Sequence, residues 1–276
     1  LSEAAALRGN FHLVCSQRTD GTTYVSRQSF AAPFHLSKTY WNGDTLLVNV
    51  INQTAGLFGG DVLKTCVVVE SGARVLLSSP SAARFHPSGG REVRIEQRFA
   101  VCAGAFLDVF PEISIPQRNC LATQATTIEV DPGGEALYLE TLAPGRVASG
   151  ETFEFNRFAW RTDVRLAERL VHRERATLSP TDGSLAGLRA LFPASYYAGM
   201  IVISPASEGW GVDFSHEVNA ISRKNAVTMA TTRLPAGGWS IRILAADALA
   251  MRKAIGGLRE FLYQRLGRAW ADVRRS

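Results

Sequence analysis

Five carboxylates stand in or beside apolar runs of this chain: Asp61, Asp108, Glu112, Glu140 and Glu151. Two that converge could serve as the acid and base of a lyase or hydrolase. Their spacing along the chain does not say which two meet. The histidines offer less. His12, His35, His86, His172 and His216 are far apart, and none stands at metal-ligand spacing from another His or Cys. "RFHP" (84–87) and "DFSH" (213–216) could each contribute one ligand, but nothing pairs them. No G-x-S-x-G is present, and "VASGE" (147–151) is not that nucleophile elbow. The lack of a catalytic motif favours a binding or scaffold role over catalysis.

The stretch "NVINQTAGLFGGDVLKTCVVV" (49–69) sets three glycines, Gly56, Gly59 and Gly60, between two apolar runs, with Asp61 directly after. Glycines that close together mark a sharp turn or a close approach of backbone. A phosphate cradle is excluded, because the glycine pair leads into Asp and a second strand, not into Lys-Ser/Thr and a helix. Two roles stay open: a turn whose Asp accepts backbone N–H groups, or one carboxylate placed in a buried path.

The elements that must position these groups are mostly strands. "REVRIEQRF" (91–99) alternates apolar and charged residues, and "VLKTCVVV", "RVLLS", "AFLDVF", "TTIEV", "EALYLETL", "GMIVIS", "NAVTMATTRL" and "WSIRILA" are short β-branched or aromatic runs bounded by turn residues. A weak repeat links "VVESGARVLLSSP", "AVCAGAFLDVFP" and "EVDPGGEALYLETLAP", with Gly72, Gly104 and Gly134 about 30 residues apart. Such a period fits stacked, solenoid-like units, or ordinary hairpin turns in a β-sandwich. Helix is expected in two places. One is "SLAGLRALF" (184–192). The other starts at an N-cap, Asp247, and carries the stripe Met251, Ile255, Leu258, Leu262, Leu266, Ala269 and Val273. No linker divides the chain, so one domain over 1–276 is expected, with a β body over about 1–246 and the amphipathic helix over about 247–275.

Composition bounds the rest. A chain that is 46% hydrophobic and 20% charged is globular, and no run reaches the ~18 apolar residues of a membrane span. Cys15, Cys66, Cys102 and Cys120 are scattered without a C-x-x-C pair. With no readable signal peptide, they are expected to be reduced thiols in a cytoplasmic protein. Residues 252–276 hold Arg252, Lys253, Arg259, Arg265, Arg268, Arg274 and Arg275 against Glu260 and Asp272, so this stretch accounts for the whole net charge of +5. The arginines fit a solvated helix face or an acidic partner. Few aromatics interleave them, which argues against nucleic acid.

Four motifs in order carry a resemblance. "GLFGGD" (56–61), "LLSSPSAARFHPS" (76–88), "GAFLDVFPEISI" (104–115) and "PGRVASGETF" (144–153) follow one another as in the UreD family of urease accessory proteins, called UreH in some bacteria. That pattern runs G-L-x-G-G-D, T-T-Q-A-A-T-K, G-A-x-L-x-x-x-P-Q-E and L-G-R-x-A-S-G-E, and the likeness is best over about residues 45–180. The chain departs from it. The Pro-Gly-Gly lead-in to "GLFGGD" is missing, Ser78, Ser79, Pro80 and Arg84 replace the Thr-Thr-Gln and Lys, and no Gln precedes Glu112.

The resemblance implies a mainly β fold of helix-like stacked sheets with a few helices. It implies a non-enzymatic scaffold that binds apo-urease and the helical protein UreF, which recruits the GTPase UreG, within a hetero-oligomer that could be dimeric. No membrane or nucleic acid is involved. No cofactor is held permanently, and nickel is in transit through an internal tunnel toward the urease active site. Matched to the pattern, Asp61 and Glu174 lead as residues that meet the passing nickel, with Glu151 third. Leu258, Phe261, Leu262 and Trp270, with Arg259 and Arg265, are the expected partner contacts on the C-terminal helix. The alternative is a β-solenoid lyase or hydrolase using paired carboxylates.

Overall fold

The computed structural model describes residues 6–180 and 195–270, with Gly183, Leu185, Gly187 and Ala190 between them. Of the helix expected over 184–192 only Leu185, Gly187 and Ala190 are described, each in helical conformation, and the end of the C-terminal stripe at Val273 lies outside the described residues. In chain order the strands are β1 (Arg8–Gln17), β2 (Thr23–Phe30), β3 (Phe34–Leu36), β4 (Tyr40–Asn42), β5 (Thr45–Asn52), β6 (Val62–Val69), β7 (Arg74–Ser78), β8 (Ala83–Phe85) and β9 (Val93–Val101). They continue as β10 (Phe106–Phe110), β11 (Ser114–Pro116), β12 (Leu121–Val130), β13 (Glu135–Leu142), β14 (Arg157–Leu166), β15 (Arg169–Leu178), β16 (Tyr196–Ile203), β17 (Thr228–Arg233) and β18 (Trp239–Ala245). Two longer helices follow β16 and β18: α1 (Val212–Lys224) and α2 (Ala248–Arg265).

The chain winds between two sheets. Sheet 1 has the order β15-β14-β12-β9-β6-β1-β2, and sheet 2 the order β17-β18-β16-β13-β10-β7-β5-β3. The middle of each is parallel, β1 to β14 in one and β5 to β13 in the other. Antiparallel pairs close the edges. This is a stack of solenoid-like coils, and the weak repeat is one coil. Each corner is a tight turn closed by an N–H three residues on, from Ala73 to Glu70, Ala105 to Cys102 and Gly134 to Asp131. A glycine in the left-handed region sits in each: Gly72, Gly104 and Gly133. The corners stack in register, with Phe106 N–H donating to Ala73 O and Glu135 N–H to Ala105 O.

Strand phase sorts the side chains into layers. On β10, Leu107 and Val109 join Leu13, Val67, Val75, Phe99 and Ile128 between the sheets. Phe106 and Phe110 face the other way and pack with Leu137, Met200, Trp239 and the helices. Sequence periodicity located α2. Its N-cap is Asp247, whose carboxylate accepts from Ala250 N–H at 2.8 Å. The helix is shorter than expected, because Gly267 turns left-handed just past it. Helix α1, which the strand-like reading of the chain passed over, is held by Phe214 against Trp210, Trp239 and Phe261.

The C-terminal helix gives its stripe to its own sheet. Leu258 and Leu262 are fully buried there, so they are not the partner contacts expected from the sequence. Arg259 departs from that expectation too. It is 2% exposed, ion-paired with buried Asp108 and lying over the Phe110 ring at 3.8 Å. Tyr263 Oη donates to the same carboxylate at 2.6 Å, and Arg268 pairs with Glu135. Phe261, Arg265 and Trp270 keep partial or full exposure, with Arg265 stacked over Phe261 at 5.4 Å. Two of the arginines counted as a basic face are thus internal counter-ions.

Removing one partner of a buried pair strands the other's charge. Asp108→Ala is therefore expected to cost about 3–5 kcal/mol of unfolding free energy in urea. Asp108→Leu with Arg259→Met should recover a substantial part, which equilibrium unfolding of the three proteins would check.

Candidate functional site

The alternation that builds the core is broken along one row. On the inward face of sheet 1, pairing places Thr65 beside Gln97, Gln97 beside Thr126, Thr126 beside Thr162 and Thr162 beside Glu174. Five successive strands thus put polar side chains where apolar ones are the rule. Facing them on sheet 2, Tyr138 and Glu140 share the inward phase of β13. The two rows meet through hydrogen bonds. Thr126 Oγ1 donates to Gln97 Oε1 at 3.0 Å and lies 3.2 Å from Tyr138 Oη. Tyr138 Oη and Thr162 Oγ1 both donate to Glu140 Oε2, at 3.4 and 3.3 Å.

Around this row lies an internal chamber of about 150 Å³. Thr65, Gln97, Gln124, Tyr138 and Glu140 form its polar wall, and Asn52, Ser79, Ser81 and Glu112 its rim, where Ser81 is exposed. A smaller annex of about 20 Å³ continues from Glu140 to Trp160 and Tyr197. Buried Thr141 Oγ1, on the wall of both, has no hydrogen-bond partner among the described residues.

Beyond the annex stands Glu174. Its Oε1 accepts from Tyr197 Oη at 2.7 Å and from Trp160 Nε1 at 3.2 Å. Arg242 is ion-paired with it, and His172 Nε2 lies 3.9 Å from its Oε2. The two interior carboxyls are pushed in opposite directions. Glu140 lies deep in the fold with no ion-pair partner among the described residues, and burial and then the charge of Glu174 push its carboxyl up to about 8. Burial also pushes Glu174 up, but hydrogen bonds from His172, Tyr197 and Trp160 and the charge of Arg242 outweigh it, so it lies below the usual carboxylate range.

The other expected site residues are placed differently. Asp61 is 2% exposed and does not line the chamber. Its two oxygens accept the N–H groups of Leu7 and Phe58, each at 2.8 Å. That ties down the glycine loop, in which a Cβ on Gly59 would lie 1.9 Å from Ser88 O, and the loop sets Leu57 in the chamber wall. Glu151 is buried at an outer corner against Arg146 and accepts Arg118 N–H at 3.3 Å. The hydrogen bond from Arg146 holds its carboxyl low. Asp61, Glu151 and Glu174 therefore share no cluster, and Glu140 is the carboxylate that stands beside Glu174. Among the described residues no three His, Cys, Asp or Glu side chains form a ready metal site. Asp108, another carboxylate considered for acid/base work, belongs to the helix-locking pair, and Glu112 is on the rim. Gln97 escaped attention in the sequence although its signal was there: it is a polar residue at an inward position of a cleanly alternating strand.

Three of the four sequence motifs converge on this one chamber, through Leu57, through Ser79 to Ala83, and through Val109 to Ser114. Fold and site together define a stacked-coil β protein with a small polar chamber between its sheets. The family model described as UreD urease accessory protein matches residues 7–275, and the chain belongs to that family. It is 35% identical to a urease accessory protein UreD of Opitutus terrae over 97% of this chain and 98% of that one. The identity to the UreD of Actinomyces naeslundii is 28%, over 82% and 83%, and to that of Brucella suis 31%, over 61% and 64%. No helix among the described residues is long and apolar enough to cross a membrane.

A carboxyl raised by folding takes up a proton that the unfolded chain has lost, so its contribution to stability is full at low pH and fades as pH rises toward the folded value. For Glu140 that window runs from about 4.5 to about 8. Wild-type stability is expected to fall relative to Glu140→Gln across it, measured by urea unfolding at several pH values. Parallel curves would show that Glu140 titrates normally.

Proposed function

We propose that this chain is a non-enzymatic scaffold of urease maturation that binds apo-urease and UreF, through which the GTPase UreG is brought in, and that nickel crosses its interior by way of the polar chamber. The observation that carries this reading is the row of inward polar groups that reaches Glu174 across five strands and meets Glu140 on the facing sheet. A soluble fold has no structural need for such a row, because apolar residues would fill it at lower cost. Nickel accepts oxygen and imidazole donors, and a conduit must release what it binds. Hydroxyls, amides and separated carboxyls meet that need better than a closed cage. Glu140 and Glu174 are the groups that meet the cation. Asp61 fixes the loop that sets Leu57 in the wall and Glu151 fixes an outer corner, since backbone N–H groups and Arg146 occupy their oxygens.

The proton on Glu140 matters to the chemistry. Near neutral pH most of the carboxyl is protonated, so the empty chamber keeps no unpaired buried charge. A divalent cation displaces that proton, and acid opposes its capture. The lyase or hydrolase reading has paired interior carboxyls in its favour. Against it, the chamber of about 150 Å³ is half the lower end of the roughly 300–1,000 Å³ usual for small-molecule sites.

Glu140→Gln and Gln97→Leu should each lower nickel-dependent urease activation at least about tenfold in cells co-expressing the urease proteins. Co-purification with UreF and apo-urease should be retained. Full activation by both variants would remove the chamber from the route, and turnover of a small substrate by the purified chain would favour the enzyme.

A further inference from the structure

On sheet 2 the inward row is Glu140–Gly199–Arg242, paired side by side on β13, β16 and β18. The middle residue has no side chain, and a Cβ there would lie 2.8 Å from Tyr197 Oη and 3.2 Å from Glu140 Oε1. The tyrosine hydroxyl and the Glu140 carboxyl therefore share the space over Gly199, and Arg242 comes next toward solvent. Its guanidinium is held in two halves. One nitrogen, Nη1, donates to Ser240 Oγ at 2.7 Å and Ile241 O at 3.3 Å on its own strand. The other, Nη2, crosses to sheet 1, where it binds Glu174 and lies 3.4 Å from His172 Nε2. The Arg242 side chain is 28% exposed and that of Glu174 15%, so the pair stands between the annex and the outside.

The geometry points to Arg242 as a tethered cation that closes the Glu174 end of the passage and is displaced when a divalent metal ion takes its place on Glu174 and His172. This rests on the conduit reading given above and adds the residue that shuts it. Glu174 and His172 are the donors a metal would want: His172 Nε2 and Glu174 Oε2 are 3.9 Å apart. Two donors each about 2.1 Å from one ion can stand up to about 4.2 Å apart. Arg242 now occupies both. A guanidinium and a dication cannot sit together on one carboxylate, because like charges that close repel strongly in a half-buried site. Release needs little rearrangement, since Nη1 keeps its anchors on β18 while Nη2 swings toward the solvent that already reaches the side chain. In the resting chain the arginine supplies the counter-charge that Glu174 needs and leaves no metal site standing open at the surface.

The test is nickel binding by the purified full chain, titrated with nickel sulfate alone. Arg242→Gln keeps a donor for Ser240 but removes the charge, and it should bind nickel at least about tenfold more tightly than wild type, a difference of about 1.4 kcal/mol. Arg242→Lys, which keeps the cation, should stay within about threefold of wild type. Adding Glu174→Gln to Arg242→Gln should abolish the gain. A charge-free variant that binds no better, or a gain that survives loss of Glu174, overturns the assignment. The wild-type chain provides a check that needs no variant. Nitrogen-15 resonances of the Arg242 side chain should show faster exchange with solvent when zinc, a diamagnetic stand-in, is added, and unchanged exchange counts against displacement. These readouts use no urease. A failed gate therefore leaves the activation experiment on Glu140 to judge the conduit, and a failed conduit leaves the nickel titrations to judge the gate.

Discussion

Between two stacked parallel sheets an inward polar side chain has no bulk water to turn to, so it must find its partners inside. Thr126, Thr162 and Glu174 meet that constraint by pairing with Tyr138, Glu140 and Tyr197 on the facing sheet, and Gln97 accepts from Thr126 beside it. Tyr138 and Tyr197 are the hinges of the arrangement. Each hydroxyl donates to one interior carboxyl, Tyr138 to Glu140 and Tyr197 to Glu174, and burial beside those carboxyls keeps both phenols protonated far above the ordinary tyrosine range. A phenol that cannot ionise can remain a donor, so the carboxyls keep a neutral partner at any pH the chain tolerates.

The outer layer solves the opposite problem. A chamber weakens the packing between the sheets, and sheet 2 is braced from behind by α2. Asp108 sits one residue from Leu107 and Val109, which face the inter-sheet core, and takes the Arg259 and Tyr263 donors on the other side. The charge that looked available to a partner is spent in holding this strand in place. Buried ion pairs seldom add stability over an apolar packing of the same shape; what this one adds is a single depth and rotation for the helix. Since β10 runs on into Pro111, Glu112 and Ser114 of the chamber wall, the position of the helix fixes the position of the rim.

Strand alternation, the coil-length repeat and the capped terminal helix were all legible in the sequence, because each is a local pattern with a local cause: pleat, corner turn, N-cap. The repeat left sandwich and solenoid both open, and the stacking of the corners at Gly72, Gly104 and Gly133 decides for the coils. What escaped was everything that depends on which strand lies opposite which. Glu140 could be named as a carboxylate but not paired with Glu174, since they come together only through β13 and β15 on different sheets. Arg242 looked like any charge in a half-buried strand. Helix α1 was passed over although Phe214, Val218 and Ile221 stand at helical spacing; Phe214 is covered by Trp210, Trp239 and Phe261 from elsewhere in the fold. Asp61 stood out for the right reason, its place after the double glycine, and that same place explains why its oxygens are occupied: a turn with close backbone approach leaves N–H groups that need an acceptor.

The charge inside the passage follows from these contacts. Glu174 is balanced by Arg242, and burial pushes the Glu140 carboxyl up to about 8, which favours its neutral form near pH 7. On the conduit reading proposed above, an entering dication would bring two positive charges, and the two positive species it could displace are the Glu140 proton and the tethered guanidinium. Their departure exposes two carboxylates of matching total charge, one at the chamber and one at its far end. One dication exchanged for only one of these two species leaves the interior one charge more positive, and only displacement of both restores neutrality without importing an anion, which a chamber walled by Val50, Leu57, Leu63 and Val109 could not easily solvate. On that reading selectivity would come from the exchange of positive charge for positive charge. Such a conduit would favour a cation that satisfies a carboxylate better than a proton or an arginine does.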